Sequence, residues 1–305
     1  MTMVDLSVDL GFIKLKNPVL AASGTFGYGL EFKPFFNLDM IGGFVVKGLY
    51  FNPREGNPPP RLVETPSGLI NSVGLQGIGV EAFCREILPQ LDQLDTAIIA
   101  NVCGEEEEEY ARVAEYLGRF KGLDALELNI SCPNVREGGK CPAQDAEATY
   151  RTVRKVKQVA SLPIITKLSP NVTDIVSVAL AAEEAGSEGI SLVNTFLAMA
   201  IELKTRKPKL GNILGGLSGP AIKPIALRMV WQVAQAVKIP VIGLGGIFTA
   251  EDALEFMVAG AAAVQVGTAN FIDPEACLKI IEGMKKWAEE NGINRLSEIT
   301  GSLKI

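Results

Sequence analysis

The sequence predicts a (β/α)8 TIM barrel, in which eight parallel strands form a closed ring with helices around it. Eight short apolar segments alternate with helical ones along the chain, and no change in composition marks a domain boundary. A hairpin-like segment precedes the first strand. We therefore expect one domain over residues 1–305, with an N-terminal β-hairpin and long loop insertions at the C-terminal face. A doubly wound open sheet is the alternative.

The predicted strands are short apolar runs that end in polar residues or glycine. The first segment, Val4–Lys16, alternates like a hairpin and turns at Gly11. The eight barrel strands are then predicted at Val19–Ser23, Phe44–Lys47, Ala97–Val102, Ala125–Ile130, Ile164–Leu168, Ile190–Asn194, Val241–Leu244 and Ala263–Val266.

Helices and two irregular insertions fill the remaining chain. A proline-rich insertion runs from Asn57 to Leu75, and a second one, Phe196–Leu217, is rich in lysine and glycine. Irregular segments of this length are commonly functional loops or lids. The acidic run Glu105–Glu109 is expected to open a helix as a solvated face at its N-terminus. The other helices are predicted at Val80–Leu91, Asp145–Ala160, Asp174–Ala185, Pro220–Val237, Ala250–Val258 and Pro274–Glu290.

Composition limits the classes of partner. The chain is 48% hydrophobic and 21% charged, with a formal net charge of −6, which argues against nucleic acid as the main partner. No run of eighteen apolar residues is present, and Met1–Asp5 has no basic character. We therefore expect neither a membrane span nor a secretion signal, and a cytoplasmic location.

Histidine and cysteine usage limits the chemistry. The chain has no histidine, which excludes a Ser-His-Asp triad and histidine-ligated metal. Its five cysteines include no C-x-x-C pair, which argues against a disulfide framework and against an iron–sulfur or zinc site on this chain. No metal site is predicted. A catalyst built here must use Cys, Lys, Asp, Glu, Ser, Thr or Tyr.

One cysteine lies at the tip of a predicted strand. The strand Ala125–Ile130 runs into Ser131-Cys132-Pro133-Asn134. Because Pro133 disfavours helix at the preceding residue, the Cys132 thiol is expected on a loop just past the C-terminal end of the strand. Active sites of α/β barrels lie at that end. The alternative is a strand-end turn with a half-buried free cysteine.

The other strand ends carry a pattern of lysines, carboxamides and glycines. Two glycine-containing tips at the last two strands favour a phosphate site, although each glycine alone can be a turn residue. Phe248 replaces the third glycine of a G-x-G-x-x-G loop, so a Rossmann site is rejected. The two lysines suggest binding of anions. Four carboxamides, Asn71, Asn129, Asn134 and Asn194, suit a planar ring with alternating carbonyl and N–H groups. The tips are Ser23-Gly24, Lys47-Gly48, Asn101, Asn129 with Cys132, Lys167, Asn194-Thr195, Gly245-Gly246 and Gly267-Thr268.

Six segments in order resemble the class 1 dihydroorotate dehydrogenases. Cysteine at position 132 resembles class 1, because the membrane-bound class 2 enzymes use serine and carry an N-terminal extension. The Ser-Gly-Thr-Phe-Gly start, Val-Gly-Leu-Gln and Val-Arg-Glu-Gly-Gly resemble subclass 1B. The six segments are Ala22–Gly27, Val46–Gly48, Asn71–Leu75, Asn129–Asn134, Gly245–Ile247 and Val266–Thr268.

The resemblance implies a barrel that binds FMN and oxidises dihydroorotate to orotate in pyrimidine biosynthesis. It further implies a second subunit with FAD and a 2Fe-2S cluster that passes electrons to NAD+, and a homodimer core within a heterotetramer. Cys132 would be the base that removes the C5 proton while the C6 hydride passes to flavin N5. Lys167 would offset charge on the reduced flavin, and Lys47 would pair with the substrate carboxylate.

By match of position, the resemblance also assigns two sets of binding residues. The FMN set is Ser23, Lys47, Gly48, Asn101, Asn129, Lys167, Val193, Gly219, Gly245, Gly246, Gly267 and Thr268. The substrate set is Lys47, Asn71, Ser72, Val73, Gly74, Leu75, Asn129, Asn134, Asn194 and Thr195. The chain departs from the family at Lys140-Cys141-Pro142, where a more apolar stretch is expected.

Three alternatives remain open from the residues. The first is the same chemistry in a class 1A-like homodimer that uses fumarate. The second is a barrel aldolase or isomerase, in which Lys167 forms a Schiff base and the late glycines hold a sugar phosphate. The third is a partner-binding barrel without activity.

Overall fold

The computed structural model of the chain describes residues 4–131 and 142–305. Its strands, in chain order, are β1 (Val8–Asp9), β2 (Lys14–Leu15), β3 (Val19–Ala21), β4 (Gly43–Val45), β5 (Leu62–Thr65), β6 (Gly68–Asn71), β7 (Ala97–Val102), β8 (Ala125–Leu128), β9 (Ile164–Lys167), β10 (Gly189–Leu192), β11 (Phe196–Met199), β12 (Ile201–Glu202), β13 (Lys207–Pro208), β14 (Leu214–Ser218), β15 (Val241–Leu244) and β16 (Ala263–Val266).

The helices follow most barrel strands. They are α1 (Val80–Ala82), α2 (Leu88–Leu91), α3 (Glu107–Leu117), α4 (Ala146–Lys157), α5 (Ile175–Glu184), α6 (Lys223–Ala234), α7 (Ala250–Val258), α8 (Ala269–Ile272) and α9 (Ala276–Glu290). A π-helix spans Phe83–Ile87, and short 3-10 turns lie at Leu30–Phe32, Leu38–Met40, Pro142–Gln144, Pro220–Ile222 and Leu296–Ile299.

Eight parallel strands close into the predicted barrel. Around the ring the order is β3, β4, β7, β8, β9, β10, β15 and β16, which then pairs with β3. Every residue of these strands is buried, as expected for parallel strands between a filled barrel and a layer of helices. All eight predicted barrel strands are confirmed, and the open-sheet alternative is wrong.

The N-terminal hairpin closes one end of the barrel. Strands β1 and β2 pair antiparallel, with Val8 opposite Leu15, and Gly11 takes a φ of +81° at the turn. Val8 and Leu15 pack with Ala97 and Ala125, the first residues of β7 and β8. Because this end is filled, the opposite, C-terminal face remains for a site.

The two insertions are more ordered than predicted. Strands β5, β6, β11 and β14 form a four-stranded antiparallel sheet, and β12 pairs with β13. The prediction of irregular segments is therefore wrong at these strands. Asn71 of β6 pairs with Gly216 of β14, far away in sequence, so neither segment shows its partner locally. The side chains of β5 and β11 are exposed or half-buried, which weakens the apolar signal of a strand.

The predicted helix over Val80–Leu91 is interrupted. A π-helical turn over Phe83–Ile87 separates α1 from α2. Pro89 follows this turn and has no amide hydrogen, so it cannot continue the regular hydrogen-bond pattern into the preceding turn. Among the described residues, no helix combines the length and the apolar character needed to cross a membrane.

A reciprocal cap fixes the start of α7, next to the glycine tip of β15. Thr249 Oγ1 accepts from the Asp252 amide (3.2 Å), and Asp252 Oδ2 accepts from the amides of Phe248 (2.8 Å) and Thr249 (2.9 Å). Lys223 also pairs with Asp252. Burial acts to raise the pKa of Asp252, but these hydrogen bonds and the Lys223 charge outweigh it and hold the pKa below its ordinary value.

We expect Asp252→Ala to lower the free energy of unfolding by about 1 kcal/mol at pH 7, because two helix-start amides lose their acceptor. A depressed carboxyl pKa stabilises the fold above the unfolded value of 3.8, and this stabilisation is lost as the pH falls through the folded value. Urea unfolding at pH 7 and pH 3 tests both points: the difference from wild type should shrink at pH 3. Glu251→Ala, a change in the same first turn outside the cap, is the control.

Candidate active site

A cavity opens at the C-terminal end of the barrel, under the four-stranded sheet. The ends of seven barrel strands line its floor and walls, from Ser23 after β3 to Thr268 after β16. The sheet contributes Asn71 and Gly216, and the segment that follows it contributes Val73, Gly74 and Leu75. The two insertions therefore form the roof of the site.

A buried carboxylate lies beneath the cavity floor. Glu127 on β8 is fully buried, and its Oε1 accepts hydrogen bonds from Asn101 Nδ2 (2.9 Å) and Lys167 Nζ (3.3 Å). Its Oε2 accepts from Ser191 Oγ (2.9 Å) and Gln265 Nε2 (2.7 Å). Four donors thus compensate the desolvation of this charge. Two of these donors, Lys167 and Gln265, also line the cavity.

A second polar cluster extends from Asn101 towards the roof. Asn101 Oδ1 accepts from Asn129 Nδ2 (3.1 Å), and Asn129 Oδ1 accepts from Ser131 Oγ (3.2 Å). Asn194 Nδ2 donates to Ser131 Oγ (2.8 Å). Ser131, the last described residue before Cys132 in the chain, therefore lies beside two of the predicted substrate-binding carboxamides, Asn129 and Asn194.

Lys47 supplies a second ammonium group at the cavity wall. Partial burial lowers the pKa of Lys47 below its ordinary value, and the positive charge of Arg61 acts in the same direction. The carboxylate of Glu31 opposes both. The described residues that line the cavity include no carboxylate, so an anionic ligand would supply a counter-charge for this lysine.

Glycine backbone forms one side of the cavity at the ends of β15 and β16. We call Gly245, Gly246 and Gly267 the glycine cradle. Gly245 and Gly246 have φ values of +125° and +81°, which only glycine adopts readily. A Cβ on Gly246 would lie 2.9 Å from the Gly219 carbonyl oxygen, whereas one on Gly267 would meet nothing closer than 3.7 Å and would occupy cavity space. Thr268 Oγ1 donates to Ser218 Oγ (2.8 Å) across this side.

The start of α7 does not share in this cradle. The amides of Phe248, Thr249 and Asp252 at this start already bond within the cap, and the Asp252 carboxylate is itself negative. A phosphate at this side would therefore rest on the backbone of the glycine tips.

Most predicted site residues line the cavity, and the exceptions are instructive. Asn101 lies behind the wall, bonded to Glu127 and Asn129, and Ser72 is fully buried outside the lining. Cys132, Asn134 and the second thiol Cys141 lie outside the described residues. The predicted residues in the lining are Ser23, Lys47, Gly48, Asn71, Val73, Gly74, Leu75, Asn129, Lys167, Val193, Asn194, Thr195, Gly219, Gly245, Gly246, Gly267 and Thr268.

Sequence reasoning missed Glu127, Ser191 and Gln265. A signal was available: Glu127 interrupts an otherwise apolar strand, and Gln265 does the same in β16. A charged or amide side chain in a fully buried strand requires a partner, which predicts a buried polar network.

Two of the cysteines that the structure describes, Cys84 and Cys277, are poor nucleophiles. Burial raises the pKa of Cys84 and of Cys277 to about 12. Both thiols lie outside the cavity lining. Within residues 4–131 and 142–305, no group of three or more potential metal ligands occurs.

Comparison with known proteins identifies the family of the chain. The family model described as dihydroorotate dehydrogenase matches residues 5–287. Relatives from Geotalea uraniireducens (55% identical, covering 98% of both chains), Geotalea daltonii (53%, 100% of both) and Bacteroides thetaiotaomicron (50%, 99% of this chain and 100% of the relative) each carry the name dihydroorotate dehydrogenase B (NAD+), catalytic subunit.

A solved structure shows the same fold. The crystal structure of the Eimeria tenella enzyme abbreviated DHODH, in complex with ferulenol, superposes with a TM-score of 0.83 at 20% identity, covering 98% of this chain and 88% of the other. The barrel prediction and the resemblance drawn from the sequence are both confirmed. The family match over most of the chain, together with full-length relatives at half identity or more, shows that the chain belongs to the dihydroorotate dehydrogenase family.

Proposed function

We propose that this chain is the catalytic subunit of an NAD+-dependent dihydroorotate dehydrogenase, which oxidises (S)-dihydroorotate to orotate in pyrimidine biosynthesis. The names of the full-length relatives support this activity, and family membership makes the chain an oxidoreductase. The observation that carries the proposal is one cavity that combines two ammonium groups, a carboxamide cluster and a glycine cradle.

The residues present fit FMN. The glycine tips, where an added Cβ would take up space at Gly267, suit a phosphate held by backbone amides. Gln265 Oε1 is buried and has no hydrogen-bond partner among the described residues, which suits an acceptor for a ring N–H. Lys167 offers a fixed positive charge at the wall. We therefore propose a single FMN-binding barrel domain with the cofactor and substrate sets predicted from the sequence.

The mechanism follows from what each side chain can do. FMN, when bound, supplies the acceptor for the hydride from substrate C6. Lys47 pairs with the substrate carboxylate, and the carboxamides of Asn129 and Asn194 orient the substrate ring. Cys132, which lies outside the described residues, takes the proton from substrate C5 as the base. Lys167 stabilises the negative charge that develops when the hydride is transferred.

We expect Lys47→Ala to raise the dissociation constant of orotate about 10- to 100-fold, the usual worth of a hydrogen bond to a charged group. Lys47 belongs to both predicted sets, but binding of FMN should weaken less than binding of orotate, because its charge is assigned to the substrate carboxylate. Titration of the flavin absorbance with orotate measures the first affinity, and titration of the apoprotein with FMN measures the second. Lys14→Ala, at the opposite end of the barrel, is the control. An unchanged orotate affinity in Lys47→Ala would refute this role.

The onward electron path is assigned to a partner. The words "catalytic subunit" in the names of the relatives support a separate electron-transfer subunit. We propose that this subunit carries FAD and a 2Fe-2S cluster and that two copies of each chain form a heterotetramer around a homodimer core. The cytoplasmic location stays a prediction.

The final electron acceptor distinguishes this proposal from the class 1A-like alternative. The purified chain with FMN and dihydroorotate should reduce NAD+ only when the partner subunit is added. Turnover with fumarate by the chain alone would instead favour the class 1A-like homodimer.

The aldolase alternative is tested separately. For an aldolase, Lys167 would have to lose its proton to attack a carbonyl, whereas here it is paired with Glu127. Borohydride should therefore trap no adduct with a sugar phosphate.

A further inference from the structure

Glu127 occupies a position that the reaction scheme does not use. It is fully buried inside the barrel and touches no open part of the cavity, yet two of its four donors, Lys167 and Gln265, reach the cavity wall. A third donor, Asn101, connects it to Asn129, which also lines the cavity. One carboxylate thus contacts, directly or through one residue, three side chains of the cofactor wall.

The carboxylate fixes the polarity of the Gln265 amide. Because Nε2 donates to Glu127 Oε2 at 2.7 Å, the amide cannot rotate by half a turn without bringing its oxygen against a carboxylate oxygen. Gln265 is 1% exposed, and its Oε1 has no hydrogen-bond partner among the residues that the structure describes. A buried acceptor without a partner is costly, so it is expected to meet a donor supplied by the ligand.

The same carboxylate fixes and partly neutralises the Lys167 ammonium. The two side chains are 6% and 0% exposed, so water screens neither charge effectively. Since Lys167 lies at the wall, the field felt by a bound ligand is the sum of its positive charge and the negative charge of Glu127 directly behind it.

We propose that Glu127 is a positioning residue of the flavin site, which presents Gln265 Oε1 as an acceptor for the flavin ring N–H and reduces the positive field of Lys167 at the flavin. The inference rests on the proposed binding of FMN. It adds a residue that touches neither cofactor nor substrate and acts on the flavin through two others.

The reduction potential of bound FMN tests the electrostatic part. Glu127→Gln removes a negative charge, so the affinity for reduced, anionic FMN should rise about tenfold relative to oxidised FMN, an upward shift of about 30 mV for a two-electron couple. Lys167→Met should shift the potential in the opposite direction. Glu188→Gln, which removes the carboxylate of a Glu–Lys pair outside the cavity lining, should leave it unchanged. A folded Glu127→Gln protein with an unchanged or lowered potential would overturn the proposal.

A second comparison tests the role of Gln265 Oε1 as a hydrogen-bond acceptor. If Glu127→Gln shows no cooperative thermal transition and is therefore unfolded, this comparison alone decides. The wild-type apoprotein should bind FMN about tenfold more tightly than FMN methylated at N3, which has no ring N–H in its oxidised form. Gln265→Met should lose this preference, and retention of it would overturn the proposal. Failure of the wild-type chain to bind FMN at all would instead refute the proposed function, so the two failures are distinguishable.

Discussion

Cys132→Ser is expected to slow the reduction of bound FMN by dihydroorotate about 10²- to 10⁴-fold at pH 7, the usual contribution of a general base. A serine hydroxyl has the size of the thiol but releases its proton far less readily, so removal of the C5 proton becomes the slow step. Stopped-flow absorbance of the flavin measures the rate. Orotate binding should change little, because the change leaves both lysines and the carboxamides in place.

Cys84→Ala is the matched control for this prediction. Burial raises the pKa of Cys84 to about 12, and the side chain lies away from the cavity, so its removal should leave the rate of flavin reduction at the wild-type value. Flavin reduction at the wild-type rate in Cys132→Ser would reject the cysteine as the base. In that case another group of the site would have to take the proton.

Lys167→Met is expected to lower the free energy of unfolding of the apoprotein by about 3–5 kcal/mol. The change leaves the buried Glu127 carboxylate without its cation, and the remaining neutral donors, Asn101, Ser191 and Gln265, cannot replace that charge. Urea unfolding monitored by circular dichroism measures the loss. FMN binding should weaken as well, because Lys167 is assigned to the cofactor.

Two further variants separate a buried pair from an exposed one. Lys157→Met breaks the pair with Glu188, in which both side chains are about one third exposed, and should cost at most about 1 kcal/mol. The double variant Lys167→Met/Glu127→Gln removes both charges and should recover most of the stability lost in Lys167→Met. Equal losses in Lys167→Met and Lys157→Met would show that Glu127 is not held as a buried charge.

The barrel could be predicted from the sequence because each strand is an apolar run that ends in a visible signal. Strands buried on both faces read as continuous hydrophobic segments, and polar or glycine tips mark where they stop. The Ser23 and Lys47 tips illustrate this, since each directly follows such a run and each lines the cavity. Parallel order then brings all tips to one face, so the residues of the site could be named before their geometry was known.

The roof of the site could not be predicted in the same way. Asn71 and Gly216 pair across β6 and β14, and no periodicity within either segment contains that long-range information. Half-exposed strands also lack the apolar runs that mark the barrel strands. From these insertions, Asn71 was predicted from its carboxamide, whereas Ser72, Val73, Gly74 and Leu75 entered the predicted site only through the resemblance to a known family.

The buried network beneath the floor was missed for a different reason. Residues at strand ends lie at the mouth of the barrel, whereas Glu127 and Gln265 lie within their strands. Asn101, which is predicted for the cofactor set, joins this network to Asn129 through its hydrogen bonds to Glu127 and Asn129. Polar residues within apolar strands therefore complement strand tips as predictors of a site.

The most direct test of the proposed activity is the visible spectrum of the purified, FMN-loaded chain before and after anaerobic addition of dihydroorotate. We expect flavin bands that bleach on addition, because the chain alone holds the groups assigned to cofactor, substrate and base. A flavin that stays oxidised would contradict dihydroorotate as the substrate while leaving the fold intact. A chain that takes up no FMN would contradict the flavin site itself.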